Sequence, residues 1–576
     1  MSRVNQIRLL LLLVIVAVFG QVVTHDFVDW DDGVLLFRNP NIVHPSPGNL
    51  LHHWEPHNTD NVFMYNPMVF TLWWSLSHLS DVQSPDILGA TINPYVFHAA
   101  SLVVHWLCAC AVFEILRRLK LRNWAAATGA LVFAVHPLQT EAIAWASAMK
   151  DLLSGLFALL AIWRYIAALD SRGDARKREY WLSTIFFAAA LLSKPSTVVV
   201  PAIVGAIDLI MYRRSWKDVA RWTLPWYAMA ILVTLLAAQI QAIMPQAYAP
   251  MWAHPLIATD ALAFYMAKLI LPIGLKFDYG RNPTAVLTDP TLYHPLRWTW
   301  IFPVALAVII WRSGRKQLWL AGAIFLLGVL PVLGLKTFAY QYYTTVADRY
   351  VYLSMLGVAL AVGWWMETHR TRTEAVIATA VIVVLGCLSF VQAQRWTDTD
   401  TLYSYALDHT EPIHEVILGE YNDDLALPYL HRAESAGRIG EYPEEKEFAD
   451  QAVAYIEKGI EYYRTSVRLD PTQTHGYDLL ARDLVLLGRI PEAIDTVKTW
   501  IKMDPLTDAG AKQAPGRLEG MLGSLYLANH QYPEAVAALK RSLAEHDDPD
   551  VRRTLATAEK AAAKIAGETT HPSGRP

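Results

Sequence analysis

The sequence predicts an all-α chain in two parts: a polytopic membrane helix bundle of about eleven crossings, then a soluble α-solenoid of helical repeats. Three observations carry this expectation. Of 576 residues, 54% are hydrophobic and 18% charged, with 21 Trp, which is too apolar for a soluble enzyme and too interrupted by charge for membrane spans alone. Basic residues follow every second apolar run. The last third of the chain turns charged and periodic. A net charge of -4 offers no basic field for nucleic acid. Cys108, Cys110 and Cys387 all fall inside apolar runs, where they suit packing rather than a disulfide framework.

The first apolar run, 9–23, follows Arg3 and Arg8, which favours a cytoplasmic N-terminus. A cleaved signal peptide is the rival reading, but no A-x-A site follows, so a retained anchor is expected. Ten further runs lie near 94–116, 123–136, 151–169, 181–193, 196–212, 222–243, 299–311, 317–334, 350–366 and 374–392. Arg117, Arg118, Lys120 and Arg122 follow the second run, and Arg172 with Arg176–Arg178 the fourth. Arg213, Arg214 and Lys217 follow the sixth, Arg312, Arg315 and Lys316 the eighth, and Arg370 and Arg372 the tenth. All five basic exits therefore fall on the cytoplasmic side. The loops 24–93 and 244–298, and everything beyond 393, lie on the opposite side. The apolar stretch 260–272 is too short to cross and is expected to be a re-entrant or interfacial helix.

Beyond about residue 394, Leu469-Asp-Pro471 recurs as Met503-Asp-Pro505 after 34 residues, the tetratricopeptide period. Tyr477, Leu480, Ala481, Leu484, Ala493, Val497 and Trp500 keep the small and apolar positions, and Leu522, Gly523, Tyr526, Ala535 and Leu539 mark a further unit. Pro491-Glu-Ala493 and Pro533-Glu-Ala535 open second helices, where proline suits the first turn. The stretch 506–515 is an insertion between repeats, and 419–468 a longer or degenerate first unit. The expected domains are 1–393, 394–565 and a disordered tail at 566–576. Stacked repeats present a concave face that binds extended peptides, although a structural role fits the same pattern.

Chemistry is expected where polar groups meet the external face. Four Asp (Asp26, Asp29, Asp31, Asp32) fall within seven residues just after the first run and cannot lie in hydrocarbon. A carboxylate there is a candidate base; a solvated acidic loop is the alternative. His136 and Glu141 follow the third run, and Lys150-Asp151 open the fourth. Lys194 interrupts the fifth and sixth, and Asp348-Arg349 precede the tenth. Three cations at one level (Lys150, Lys194, Arg349) suit a phosphate at the membrane surface.

Several of these residues stand in longer patterns. His136-Pro-x3-Glu141-Ala-x-Ala-Trp145-x4-Lys150-Asp151-Leu-Leu-Ser154 is one, and Leu192-Ser-Lys-Pro195 a second. Tyr265-x2-Lys268-Leu-x2-Pro272-x-Gly274-Leu-x3-Tyr279 and Ala347-Asp-Arg-Tyr-x-Tyr-Leu353 complete the set. In this order, and followed by repeats, they resemble the transmembrane, tetratricopeptide-containing protein O-mannosyltransferases and their bacterial relatives. The resemblance covers most of 25–365. It implies a C-type glycosyltransferase (GT-C) fold and a polyprenyl-phosphate sugar used outside the cytoplasm. It also implies roles. Asp31 and Asp32 match the family's catalytic acid pair, with Asp31 as base toward an acceptor hydroxyl. Lys150, Lys194 and Arg349 would hold the lipid phosphate. His136, Glu141, Asp151 and Asp348 would line the pocket. One carboxylate suffices because a phosphate leaves without protonation, and a single displacement inverts the anomeric carbon.

The chain departs from the family at Tyr65-Asn66-Pro67, where the family often has Arg before the proline, and 80–93 reads as an insertion. These changes touch sugar and acceptor choice. His44, His52, His53 and His57 fit no standard metal spacing; no metal ligands and no cofactor are assigned, and a divalent metal stays open. The expectation is a glycosyltransferase of a bacterial inner membrane, its repeats periplasmic, moving sugar to protein Ser or Thr. An endoplasmic-reticulum membrane would have the same sidedness. A glycan or lipid acceptor, or a non-catalytic scaffold anchoring the repeats, are the alternatives.

Overall fold

The computed structural model describes residues 2–56, 65–80, 90–240, 249–288, 298–369, 371–409, 442–469, 471, 474–503 and 516–569, with parts of 418–433. His57, most of the 80–93 insertion and the inter-repeat stretch 506–515 lie outside the described residues. Among the described residues the elements are helical, with no β-strand. The chain divides into two compact units, Met1–Thr410 and Glu411–Pro576.

Each of the eleven apolar runs carries a helix. We number these α1 (Arg3–Phe19), α2 (Pro94–Arg118), α3 (Asn123–Val135), α4 (Met149–Asp170), α5 (Gly173–Ser193) and α6 (Val200–Ile207). They continue with α7 (Trp216–Ile240), α8 (Ile301–Ser313), α9 (Lys316–Val329), α10 (Met355–Thr368) and α11 (Arg372–Ala393). Counting the short turns that extend α1, α4, α6 and α11, six segments among the described residues are long and apolar enough to cross a bilayer alone: those of α1, α2, α4, α6, α7 and α11. α3, α8 and α9 are shorter apolar helices. Thirteen helical residues rise only about 20 Å against a hydrocarbon core of about 30 Å.

α1 is an integral member of the bundle. Leu11, Ile15 and Phe19, spaced one turn apart, are fully buried, and Arg8 pairs with Glu114 of α2 at 2.7 Å. α3 and α10 approach closely because Gly129 and Gly363 lack side chains. A Cβ at Gly129 would collide with the Ala359 carbonyl, and one at Gly363 would lie 3.1 Å from that of Ala125. The outer faces of α7, α8 and α11 expose Ile231, Leu235, Phe302, Ile309, Trp311, Ile377 and Val384. Water would penalise such surfaces and lipid does not. The unit is a multi-pass membrane protein.

Loops expected on the same side bind one another. At the basic end, Arg118 and Tyr212 both reach Asp170, at 3.2 and 3.0 Å, and the Arg122 N–H donates to Glu367 at 2.9 Å. At the other end, the Asp26 N–H donates to the Thr397 carbonyl at 2.9 Å and the Thr345 N–H to that of Arg281 at 3.0 Å. Arg395 reaches the Leu275 carbonyl at 3.0 Å. The helix His254–Ile270 packs its Ile257, Ala261 and Tyr265 face inward, and Arg281 grips Asp260 bidentately at 2.6 and 2.7 Å.

The first unit extends past the expected boundary at 393 because helix Thr399–His409 packs on the loop that follows α1. Thr399 accepts the Asp29 N–H at 2.9 Å, the Tyr403 hydroxyl donates to the Asp29 carbonyl at 3.0 Å, and Leu402, Tyr403 and Ala406 are buried.

In the second unit, Thr474–Leu486 and Ile490–Met503 form one helix pair, and Arg517–Ala528 and Tyr532–Glu545 another. Their turns match. Arg489 N–H returns to the Leu484 carbonyl at 2.7 Å, and Gln531 N–H to that of Tyr526 at 2.9 Å; Gly488 and His530 take the left-handed conformation. Ala481, Leu484, Ala493 and Val497 fill the first pair, and Leu522, Tyr526, Ala535 and Leu539 the second. A final helix, Pro549–Thr569, runs past the expected start of the tail at 566 through an Ala-rich, helix-favouring stretch.

Candidate active site

The four acids after α1 have different surroundings. The Asp26 backbone is tied to Thr397. Asp29 pairs with Arg38 across Gly33, where a Cβ would collide with both side chains. Asp31 and Asp32 precede a single π-helical turn, Gly33–Phe37, an element that often re-aims side chains at functional sites.

Asp32 is fully buried. Its Oδ2 accepts the N–H of Val28 at 3.0 Å and its Oδ1 that of Ser147 at 2.9 Å. Burial pushes its carboxyl up to about 7, against the Ser147 and Val28 hydrogen bonds and with a further push from Asp31. Asp31 keeps 22% of its side chain exposed and accepts from Lys150 Nζ at 2.9 Å.

The other predicted residues gather in the same region. Lys150 opens α4, and its ammonium lies 5.3 Å from the Trp145 ring. Arg349 sits 5.1 Å from the same indole, 4.4 Å from Tyr340 and 5.0 Å from Tyr350. Lys194, at the break between α5 and α6, faces Tyr350 at 5.3 Å and carries the electrostatic influence of both Arg349 and Lys150. The three cations thus converge through two shared rings.

Each cation also has its own carboxylate. Lys150 holds Asp31 and Lys194 holds Asp151 at 2.5 Å. Arg349 holds Glu141 through both guanidinium and backbone N–H, the latter at 2.9 Å. Asp348 accepts the Tyr279 hydroxyl at 2.7 Å. Burial and the neighbouring Glu141 hold its carboxyl well above the usual carboxylate range. Asp151 keeps one buried oxygen without a protein partner.

His136 is buried at the end of α3. Its Nδ1 accepts the Leu138 N–H at 3.3 Å and its Nε2 meets the Leu269 carbonyl at 3.2 Å, so both nitrogens serve backbone where α3 breaks at Pro137. Asn66 is buried at the head of helix Pro67–Ser77, and Tyr65 donates to the Trp54 carbonyl at 2.9 Å. Among the described residues no three His, Cys, Asp or Glu side chains gather into a metal-ligand set. Sequence reasoning missed Tyr340 and Tyr350 as cation partners; the aromatic density of 338–352 was the available signal.

The fold and the site define a class: a multi-pass, all-α membrane protein whose loops at one end converge on a buried charged and aromatic cluster. The chain is related to the TMTC protein O-mannosyl-transferases. It is 23% identical to Protein O-mannosyl-transferase TMTC4 of Homo sapiens over 461 residues, covering 68% of this chain and 60% of that protein. Against TMTC4 of Mus musculus it is 23% identical over 448 residues, 66% of this chain and 59% of the relative. Against Protein O-mannosyl-transferase F38B6.6 of Caenorhabditis elegans it is 21% identical over 432 residues, 70% and 58%. The chain thus spans about 60% of the length of these relatives. No family model matches it.

Proposed function

We propose that this protein is a membrane glycosyltransferase that moves a sugar from a polyprenyl-phosphate carrier to a Ser or Thr hydroxyl of a protein. The observation that carries the reading is the Asp31–Lys150 pair, a partly exposed carboxylate on one of three cations that share the Trp145 and Tyr350 rings. The naming of its relatives as protein O-mannosyl-transferases supports the same reading.

In the reaction, the donor phosphate takes Lys150 and releases Asp31. Asp31 accepts the proton of the acceptor hydroxyl as that oxygen attacks the anomeric carbon. The bond from anomeric carbon to phosphate oxygen breaks, and the phosphate leaves with its electron pair onto Lys150, Lys194 and Arg349. One displacement inverts the anomeric carbon. The site faces the periplasm of a bacterial inner membrane, and the second unit, read as tetratricopeptide repeats on a GT-C-like domain, recruits the acceptor as an extended segment.

Mass spectrometry of envelope proteins tests this, comparing a parent strain with one lacking the protein and one carrying Asp31→Asn. The expected result is loss of hexose-sized additions on the same Ser or Thr peptides in both mutants. An unchanged protein profile overturns the protein acceptor and directs the search to glycans and lipids. Transfer retained by Asp31→Asn overturns the base.

A further inference from the structure

Asp31 and Asp32 are chemically identical neighbours, yet they meet different partners. Both oxygens of Asp32 are occupied by backbone N–H groups, one four residues away and one 115 residues away. No part of its side chain reaches solvent, so an acceptor hydroxyl has no approach to it. The distant donor, Ser147, lies in the one-turn element Ala146–Ala148 that leads directly into α4, three residues before Lys150. The near donor, Val28, lies in the loop that carries Asp31. Around it, Asp29 is held by Arg38 across Gly33, and the Leu35 N–H returns to the Asp31 carbonyl at 2.9 Å.

We infer that Asp32 is a positioning residue: its carboxylate fastens the first external loop to the start of α4 and so sets Asp31 against Lys150. This rests on the reading above for what Asp31 does, but the fastening itself is independent of it. The physical basis is the bridging geometry. A carboxyl group that meets an N–H from a separate segment on each of its two oxygens fixes their separation more stiffly than either bond alone. An Asn at this site offers one acceptor oxygen and an NH2 that would face a second N–H donor, leaving a buried donor unsatisfied. The consequence falls on Asp31, whose placement must hold to a fraction of an ångström for proton transfer.

The test compares full-length parent protein with Asp32→Asn, Asp32→Glu and Asp31→Asn. Hydrogen exchange is followed in peptides covering 26–38 and 145–150, alongside kcat and donor KM for transfer. The expected result for Asp32→Asn is lost protection in both peptides, unchanged protection in α2 and α10, and kcat lower by about 100-fold with donor KM little changed. Asp31→Asn should abolish turnover while the Val28 and Ser147 amides stay protected. Asp32→Glu keeps both acceptors and should recover part of kcat and of the protection.

Abolished turnover in Asp32→Asn with both peptides still protected would make Asp32 the base and overturn the inference. Parental kcat with parental protection would also overturn it. If the parent transfers no sugar at all, the proposed function fails, while the exchange data still decide whether Asp32 fastens the two segments.

Discussion

Arg349 and Lys150, 199 positions apart in the chain, lie over the same indole, that of Trp145, at 5.1 and 5.3 Å. The ring itself stacks on Trp396 with centroids 5.8 Å apart. A flat, buried ring with two cations on it is a platform on which positive charge is held close without direct cation contact.

Trp145→Ala should therefore loosen both cations and raise the donor KM by roughly tenfold, the scale of about 1.4 kcal/mol spread over two cation–π contacts. Trp145→Phe should retain part of the effect. Steady-state kinetics with a polyprenyl-phosphate sugar measure this, and an unchanged KM in the alanine variant would remove the platform role.

Arg349 and Glu141 form the most buried ion pair of the cluster, with side-chain exposures of 5% and 2%. Glu141→Gln leaves the guanidinium without its counter-charge, a change that costs about 3–5 kcal/mol in comparable buried pairs. A lowered unfolding temperature of the purified protein in detergent is expected, partly restored by Arg349→Met in the same chain. Equal unfolding temperatures for parent and Glu141→Gln would count against the pairing.

Asp32 links stability to pH. Burial raises its carboxyl from the ordinary 3.8 to about 7. Between those values the folded chain holds a proton that the unfolded chain has released. This group's contribution to stability is thus full below pH 3.8, falls as pH rises toward 7 and levels off above it. Asp32→Asn should flatten that part of the profile. Unfolding temperatures of parent and variant at several pH values between 4 and 8 give the comparison; parallel curves would refute the assignment.

Close helix approach in the bundle rests on glycine. A Cβ at Gly357 collides with the Ala321 carbonyl of α9, as one at Gly129 does with α10. Gly129→Ala and Gly357→Ala should each destabilise the bundle by about 1–3 kcal/mol, through overpacking against backbone that cannot rotate away. Gly173→Ala serves as the contrast: its added Cβ meets nothing within 4 Å, although its φ of +55° carries local strain. Thermal unfolding followed by size-exclusion chromatography ranks the three variants.

The helices were legible in the sequence because hydrophobic runs and basic loop ends are local signals. Each of the eleven runs contains a helix, and loops expected on a common side hydrogen-bond to one another. Helix ends were less legible. α5 begins at Gly173 rather than near 181, because its first turns are charged and hydropathy passes over them while helix propensity does not. The first unit runs on to Thr410 for a similar reason: Thr399–His409 reads as polar, yet its Leu402, Tyr403 and Ala406 face is buried.

Sequence by itself determined which residues could carry chemistry: an acid pair after α1 and cations where later helices break at the same end. Tertiary structure alone decided their partners. Asp31 meets Lys150 from 119 residues away, Asp32 meets Ser147 from 115 and Glu141 meets Arg349 from 208. No periodicity extends over such separations. Adjacent residues with the same side chain acquire different surroundings because a single turn aims one carboxylate at buried backbone and leaves the other partly in water.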